Sequence, residues 1–287
     1  MVLLEQLNIF GCIGCPSVSK TFSPGTYNIK FSSPYNSING LRVVFDTNKA
    51  SINIINWGKN PTSRCFFLIC GVNKIYSPEP DFFYVTYQSA VFNRIPSNLF
   101  SKKKDNIEGS HFVDCNNITE IPEDLFKNWE NIKYMGTFRY CKNIKNVSEN
   151  LFKYNTLVTN FDSIFSNTDL VSIPENLFKY NAEATNFHNV FSSTKITSIP
   201  GNLFKYNKKA KNLIHTFVNT KITSIPGNLF DNNPNITHVI SIFANNFELK
   251  YIPQNIINKF LSIPNNNYAF KNCSSASNYD GLNPVLK

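Results

Sequence analysis

One six-residue pattern returns along the chain at a nearly fixed interval. Ile95-Pro96-Ser97-Asn98-Leu99-Phe100 is followed by Ile121-Pro122-Glu123-Asp124-Leu125-Phe126 and Val147-Ser148-Glu149-Asn150-Leu151-Phe152. Ile173-Pro174-Glu175-Asn176-Leu177-Phe178, Ile199-Pro200-Gly201-Asn202-Leu203-Phe204 and Ile225-Pro226-Gly227-Asn228-Leu229-Phe230 continue it, and Ile252-Pro253-Gln254-Asn255-Ile256-Ile257 closes it. Successive first positions differ by 26 residues five times and finally by 27. Such a period marks a solenoid, in which no repeat can bury its apolar face alone and each stacks on its neighbours.

Half a repeat away runs a second ladder, Phe112, Phe138, Phe165, Phe191, Phe217, Phe243 and Phe270. Three residues after each stands a small side chain: Cys115, Cys141, Thr168, Thr194, Thr220, Asn246 and Cys273. Each repeat therefore reads as two short units. Lys195-Ile196-Thr197-Ser198-Ile199, rich in β-branched residues and ended by Pro200, suits a short parallel strand. Pro174 then sits where a helix begins, and Glu175 to Tyr180 can make a helical turn or two. In the other half, Val158 to Phe161 reads as strand and Ser163 to Asn167 as turn. The fold class expected is an α+β solenoid of short parallel strands alternating with short helical turns, preceded by a small all-β domain. Burying each apolar rung side chain against its copies is worth about 1.5–3 kcal/mol, so stability should grow with repeat number.

Residues 1–88 do not share the period. Thr26–Phe31, Leu41–Phe45, Ser51–Trp57, Cys65–Cys70 and Phe82–Val85 read as strands, punctuated by Pro24-Gly25, Asn39-Gly40 and Gly58. The organisation expected is a β-sandwich or β-cap over 1–88, a leucine-rich-repeat solenoid over 89–273 and a C-terminal tail over 274–287.

The ladder of Phe-x-x-Cys/Thr followed by Leu or Ile, as in Phe112-Val113-Asp114-Cys115-Asn116-Asn117-Ile118, with Ile-Pro after it, resembles the BspA-like or Treponema-type leucine-rich repeats. The resemblance covers about residues 87–273 and is specific for architecture rather than function. It implies a recognition or adhesion protein that presents its repeat surface to a protein or glycan partner. It also implies a location on a virion or an extracellular surface, with the first 88 residues attaching to virion proteins. A structural component of a phage or viral head or tail is the alternative it implies.

Several chemistries find no support in the residues. His111, His188, His215 and His238 lack metal-ligand spacing and no triad accompanies them. Glu123, Glu149 and Glu175 recur as helix-start residues, a structural place for acids. Cys12-Ile13-Gly14-Cys15 has a zinc-like gap but no second pair of matching spacing. The sequence points to no enzyme, no cofactor and no metal. Met1 to Gly14 makes no convincing signal peptide, since it carries Glu5 and no Lys or Arg. No apolar run reaches the roughly 18–20 residues of a membrane span.

The feature that looks most like a binding surface is a row of Lys, aromatic and amide one period apart: Lys153-Tyr154-Asn155, Lys179-Tyr180-Asn181 and Lys205-Tyr206-Asn207, with Lys127 and Trp129 before it. Stacked, these residues would form stripes able to grip a glycan or an acidic polymer. Thr197-Ser198, Thr223-Ser224 and Val171-Ser172 would form a second stripe. A formal net charge of +9 permits attraction to phosphate, acidic glycans or an anionic membrane, but it is spread along the chain and reads mainly as a solubility feature. Lys102-Lys103-Lys104 and Lys208-Lys209-Ala210-Lys211 come with no nucleic-acid reading motif, which weighs against that class of partner.

Overall fold

The computed structural model describes residues 3–8, 27–32, 41–44, 65–70, 83–88, 93–101 and 111–287. Strands β1 (Leu3–Asn8) and β2 (Tyr27–Ser32) form one parallel pair. Strands β3 (Leu41–Val44), β4 (Cys65–Cys70), β5 (Phe83–Gln88) and β6 (Phe112–Val113) form a second, wholly parallel sheet in chain order. Four of the strands expected before residue 90 lie here almost where the β-branched and aromatic runs placed them. The one expected over Ser51–Trp57, the Cys12 and Cys15 pair and the run Lys102–Lys104 lie outside the described residues.

The register of this sheet ties the early strands to the repeats. Val43 pairs with Ile69, Ile69 with Tyr87 and Tyr87 with Phe112. Phe112 then donates its N–H to the carbonyl of Thr137 in the next turn. The sheet thus crosses residue 88, where loss of the period suggested a boundary. All of its pairings are parallel.

Within the repeats, equivalent residues sit over one another. Bridges link Tyr134, Asn160, Asn186, Asn212, His238 and Asn265 in a single parallel series. Beyond each bridge the N–H groups alternate in destination. Phe161, Ser163, Phe165 and Asn167 donate to Asn186, His188, Val190 and Ser192 of the next turn, while Ile164, Ser166 and Thr168 donate to carbonyls three residues back. Alternation of this kind needs a bent backbone. Left-handed φ at Ser163 and Asn167, Asn189 and Ser193, His215 and Asn219, and Ser241 and Asn245 supplies it. Asn, Ser and His recur here because short polar side chains tolerate that region better than branched ones.

The structure corrects two local expectations. The segment Lys195–Ile199 is not a strand: Lys195 N–H bonds Leu170 and Thr197 accepts from Thr223, but no regular ladder forms. Proline at the segment's end removes a donor, so pairing there stays sparse. Glu175 to Tyr180 is not α-helical either. Leu177, Lys179 and Asn181 donate to residues three back, the bonding of a tight turn. Among the described residues the α-helical turn is realised only in the last repeat, as α1 (Gln254–Leu261).

The core is a set of aromatic columns. Phe126, Phe152, Phe178, Phe204 and Phe230 follow one another at 6.2, 6.0, 6.2 and 6.1 Å between ring centroids. Phe112, Phe138, Phe165, Phe191, Phe217, Phe243 and Phe270 form the second column at 5.4–6.2 Å. Near-parallel rings at these separations are offset stacks, which add to the burial of area. Leu125, Leu151, Leu177 and Leu203 all join the same buried core. At the last turn the pattern offers Ile257 in place of Phe, and Phe260 of α1 enters the column instead, 5.7 Å from Phe230.

The final residues close the open end of the stack. Tyr268 and Phe270 donate their N–H groups to the carbonyls of Val285 and Leu286, and Leu282 and Leu286 are buried. A short 3-10 segment, Pro284–Leu286, holds this closing strip in place. The segment expected as a tail thus covers an edge that would otherwise present unpaired backbone groups.

Candidate binding surface

The small side chain after each ladder Phe is structural, as its repetition suggested. Thr168, Thr194 and Thr220 donate their hydroxyls to the carbonyls of Phe165, Phe191 and Phe217. Cys115, Cys141 and Cys273 take the same place, buried and free of disulfides. Contact with Cys115 and burial push the Cys141 thiol well above its ordinary range, and burial lifts that of Cys273 to about 11. Thiols so protonated are poor nucleophiles and poor metal ligands. Among the described residues no group of three or more His, Cys, Asp or Glu side chains could hold a metal ion. No helix among them is long and apolar enough to cross a membrane.

The Lys-aromatic-amide row divides into an inner and an outer part. Asn155, Asn181 and Asn207 are fully buried and cannot touch a ligand. Each uses its side-chain N–H groups inside the stack: Asn181 Nδ2 donates to Phe152 O at 3.2 Å and to Asn155 O at 2.8 Å. Asn155 does the same to Phe126 O and Trp129 O, and Asn207 to Phe178 O and Asn181 O. Asn233 extends the series to Phe204 O and Asn207 O. Phe152 O and Asn155 O already accept the backbone N–H groups of Asn155 and Val158, and the Asn181 amide adds a second donor from the next turn, so the residue recurs as a tie between turns. Trp129 stands at the first place of this inner ladder, 1% exposed, stacked 4.5 Å from Phe100 and 5.2 Å from Phe126. It closes the core and offers nothing to a partner.

The outer part is Lys and Tyr. Tyr154, Tyr180 and Tyr206 are 41%, 36% and 40% exposed. Lys153, Lys179 and Lys205 are exposed, with Nζ 5.6, 5.5 and 5.7 Å from the centroid of the adjacent tyrosine ring. Lys127 reaches across one turn to the ring of Tyr154 at 5.7 Å. Cation–π contacts of this kind hold the lysines in a line. The row is bounded: Asn128 precedes Tyr154 in the tyrosine column, and Asp231 and Asn232 replace Lys and Tyr after Tyr206. None of the four lysines forms an ion pair with a described residue, although Lys195, Lys209 and Lys221 pair with Asp169, Glu183 and Glu248. The second stripe also reaches the surface, with Val171, Ser172, Thr197, Ser198 and Ser224 exposed and Thr223 half-buried.

A polar grouping absent from the sequence reading lies on the bridge face. His188 Nδ1 donates to Asp162 Oδ1 at 3.1 Å, and Ser163 donates to the same oxygen. Asn189 Nδ2 lies 3.1 Å from His188 Nε2, and the His215 ring is 5.7 Å from that of His188. Burial raises the Asp162 pKa, but bonds from His188 and Ser163, with the charges of His188 and Arg139, bring it below the ordinary value. Burial and the neighbouring His188 lower that of His215. Asp162 and His188 are one period apart, so adding 26 to a residue number would have revealed the contact.

Known proteins add little to this geometry. No family model matches the chain and no curated protein matches it. A chain of the solved Toll–Spatzle complex, described as a molecular hub in Drosophila development and innate immunity, is similar at 14% identity with a TM-score of 0.43. The match covers 75% of this chain and 29% of that one, so this chain spans less than a third of that chain's length. The assignment of a leucine-rich-repeat-like solenoid stands on the stacked 26-residue turns themselves.

Proposed function

We propose that this protein is a non-catalytic recognition module, whose solenoid presents the outer Lys–Tyr row to a protein or glycan partner outside the cell or on a virion. The single observation that carries the reading is the line of Lys127, Lys153, Lys179 and Lys205, set over exposed tyrosine rings with no acidic partner among the described residues. Exposed tyrosine rings are enriched where proteins meet partners, and unpaired cations beside them add attraction for an anionic one. The inner amides keep the row straight by fixing each turn on the one before.

Arrays of glycans and of extracellular proteins test this directly, with the wild-type chain compared against Tyr154→Ala, Tyr180→Ala and Tyr206→Ala combined. Loss of specific binding in a variant with an unchanged thermal midpoint is the expected result. Retention of the same ligands at the same strength would remove the row from recognition.

A further inference from the structure

The lysine row has a pitch, and the pitch selects a ligand. Equivalent ring centroids in the phenylalanine column immediately before the lysines lie 6.0–6.2 Å apart from turn to turn between Phe126 and Phe230. An extended peptide advances about 3.3–3.4 Å per residue and points alternate side chains to one face, so same-face side chains recur every ~6.7 Å. Over the three steps from Lys127 to Lys205 the two rulers drift apart by only roughly 1.5–2 Å, which flexible lysine stems absorb. Each strand of duplex DNA instead carries a charge every ~3.4 Å of its axis, about twice as dense as the row.

We infer that the row docks an extended acidic segment of a partner protein in which Asp or Glu occupies alternate positions, lying along the solenoid axis with one carboxylate per turn. The inference rests on the proposed binding role of the row and names its partner. Lysine suits such a ligand, because one ammonium meets one carboxylate without the planar fork that arginine offers to phosphate. A lysine already sits over each tyrosine ring and competes with a base for stacking there. Asp231 ends the row by placing a carboxylate where a fifth lysine would stand, so the site accommodates four acids and repels a longer run.

Fluorescence anisotropy at low ionic strength tests the inference with two labelled peptides of identical composition. One alternates four glutamates with serines; its isomer gathers the glutamates in a block. Heparin and single-stranded DNA serve as competitors. The alternating peptide is expected to bind about threefold or more tighter than the block, as two or more surface ion pairs would give. That preference should vanish in the combined variant Lys127→Ser, Lys153→Ser, Lys179→Ser and Lys205→Ser, whose fold a thermal melt verifies. Equal binding of the two peptides overturns the inference, as does lysine-dependent binding of heparin or DNA tighter than either; this second result leaves the row a binding surface for another polymer. No lysine-dependent binding of any probe overturns both the inference and the reading beneath it.

Discussion

Lys259 Nζ donates to the carbonyl of Phe230, taking the place in the last turn that Asn233 Nδ2 takes against Phe204 one turn earlier. The inner ladder thus ends in a lysine at one side and begins with Trp129 at the other. Burial lowers the Lys259 pKa, with Asp231 acting against the shift. The unfolded chain therefore binds this proton more tightly than the folded one, and stability rises with pH from the depressed folded value up to the ordinary value near 10.5. Lys259→Asn should remove that rise while keeping a donor to Phe230, and urea midpoints at neutral and alkaline pH would read it. Lys259→Ala should cost about 0.5–1.5 kcal/mol, since the Phe230 carbonyl loses one of its two donors and keeps the Asn233 N–H.

Asn181 makes the same argument at the centre of the stack. Its removal takes the inter-turn donor from two buried carbonyls, Phe152 O and Asn155 O, which keep only the backbone N–H groups of Asn155 and Val158. Asn181→Ala is expected to destabilise by about 1–3 kcal/mol, the net worth of two hydrogen bonds, with the urea midpoint lowered and the slope unchanged. If this amide faced a ligand rather than the core, stability would stay within about 0.5 kcal/mol of wild type.

The bridge face carries the acid response. Asp162 titrates below its ordinary 3.8 when folded, so its contribution is present above that pH and is lost as pH falls through the lower folded value. His215 also titrates low, so acidification below 6.5 protonates the unfolded chain first and erodes stability down to the folded value. Asp162→Asn should flatten the stability profile below pH 4, and His215→Asn the segment just under 6.5. Thermal midpoints across that range would show the two losses separately.

The period made the rungs legible before any coordinates, because stacking demands the same side chain at the same place in every turn. Phe178, Leu177 and Thr194 needed nothing more to be placed. What the period could not tell was which way a repeated side chain faces. Asn181 and Tyr180 recur with equal strictness, yet one is sealed inside and the other exposed, and the difference lies in carbonyls that only the turn geometry reveals. Secondary structure was overread for a related reason. Glu175 to Tyr180 has the composition of a helix start, but a rung has room for one tight turn before Asn181 must reach the previous turn. The early strands escaped the repeat reading because Ile69 and Tyr87 pair across only 18 residues, which breaks the interval while keeping the sheet.

Gly136 shows where the stack has no room left. A Cβ there would lie 2.7 Å from the Tyr134 hydroxyl and 2.9 Å from the backbone carbonyl of Asp162 in the next turn. The hydroxyl can swing away, but the carbonyl is backbone, held between Asn160 and Ile164, whose own carbonyls accept from Met135 and Phe138. Gly136→Ala should therefore cost about 1–3 kcal/mol by overpacking and weaken the acid response as well. Gly227 is the contrasting case, since its nearest neighbour would be Asn255 Oδ1 at 3.4 Å, an ordinary contact. Gly227→Ala should leave stability unchanged or raise it by up to about 1 kcal/mol through a less flexible unfolded chain. Side-by-side urea titrations decide the matter: equal effects at the two glycines would mean that the turns are not packed rung on rung at Asp162.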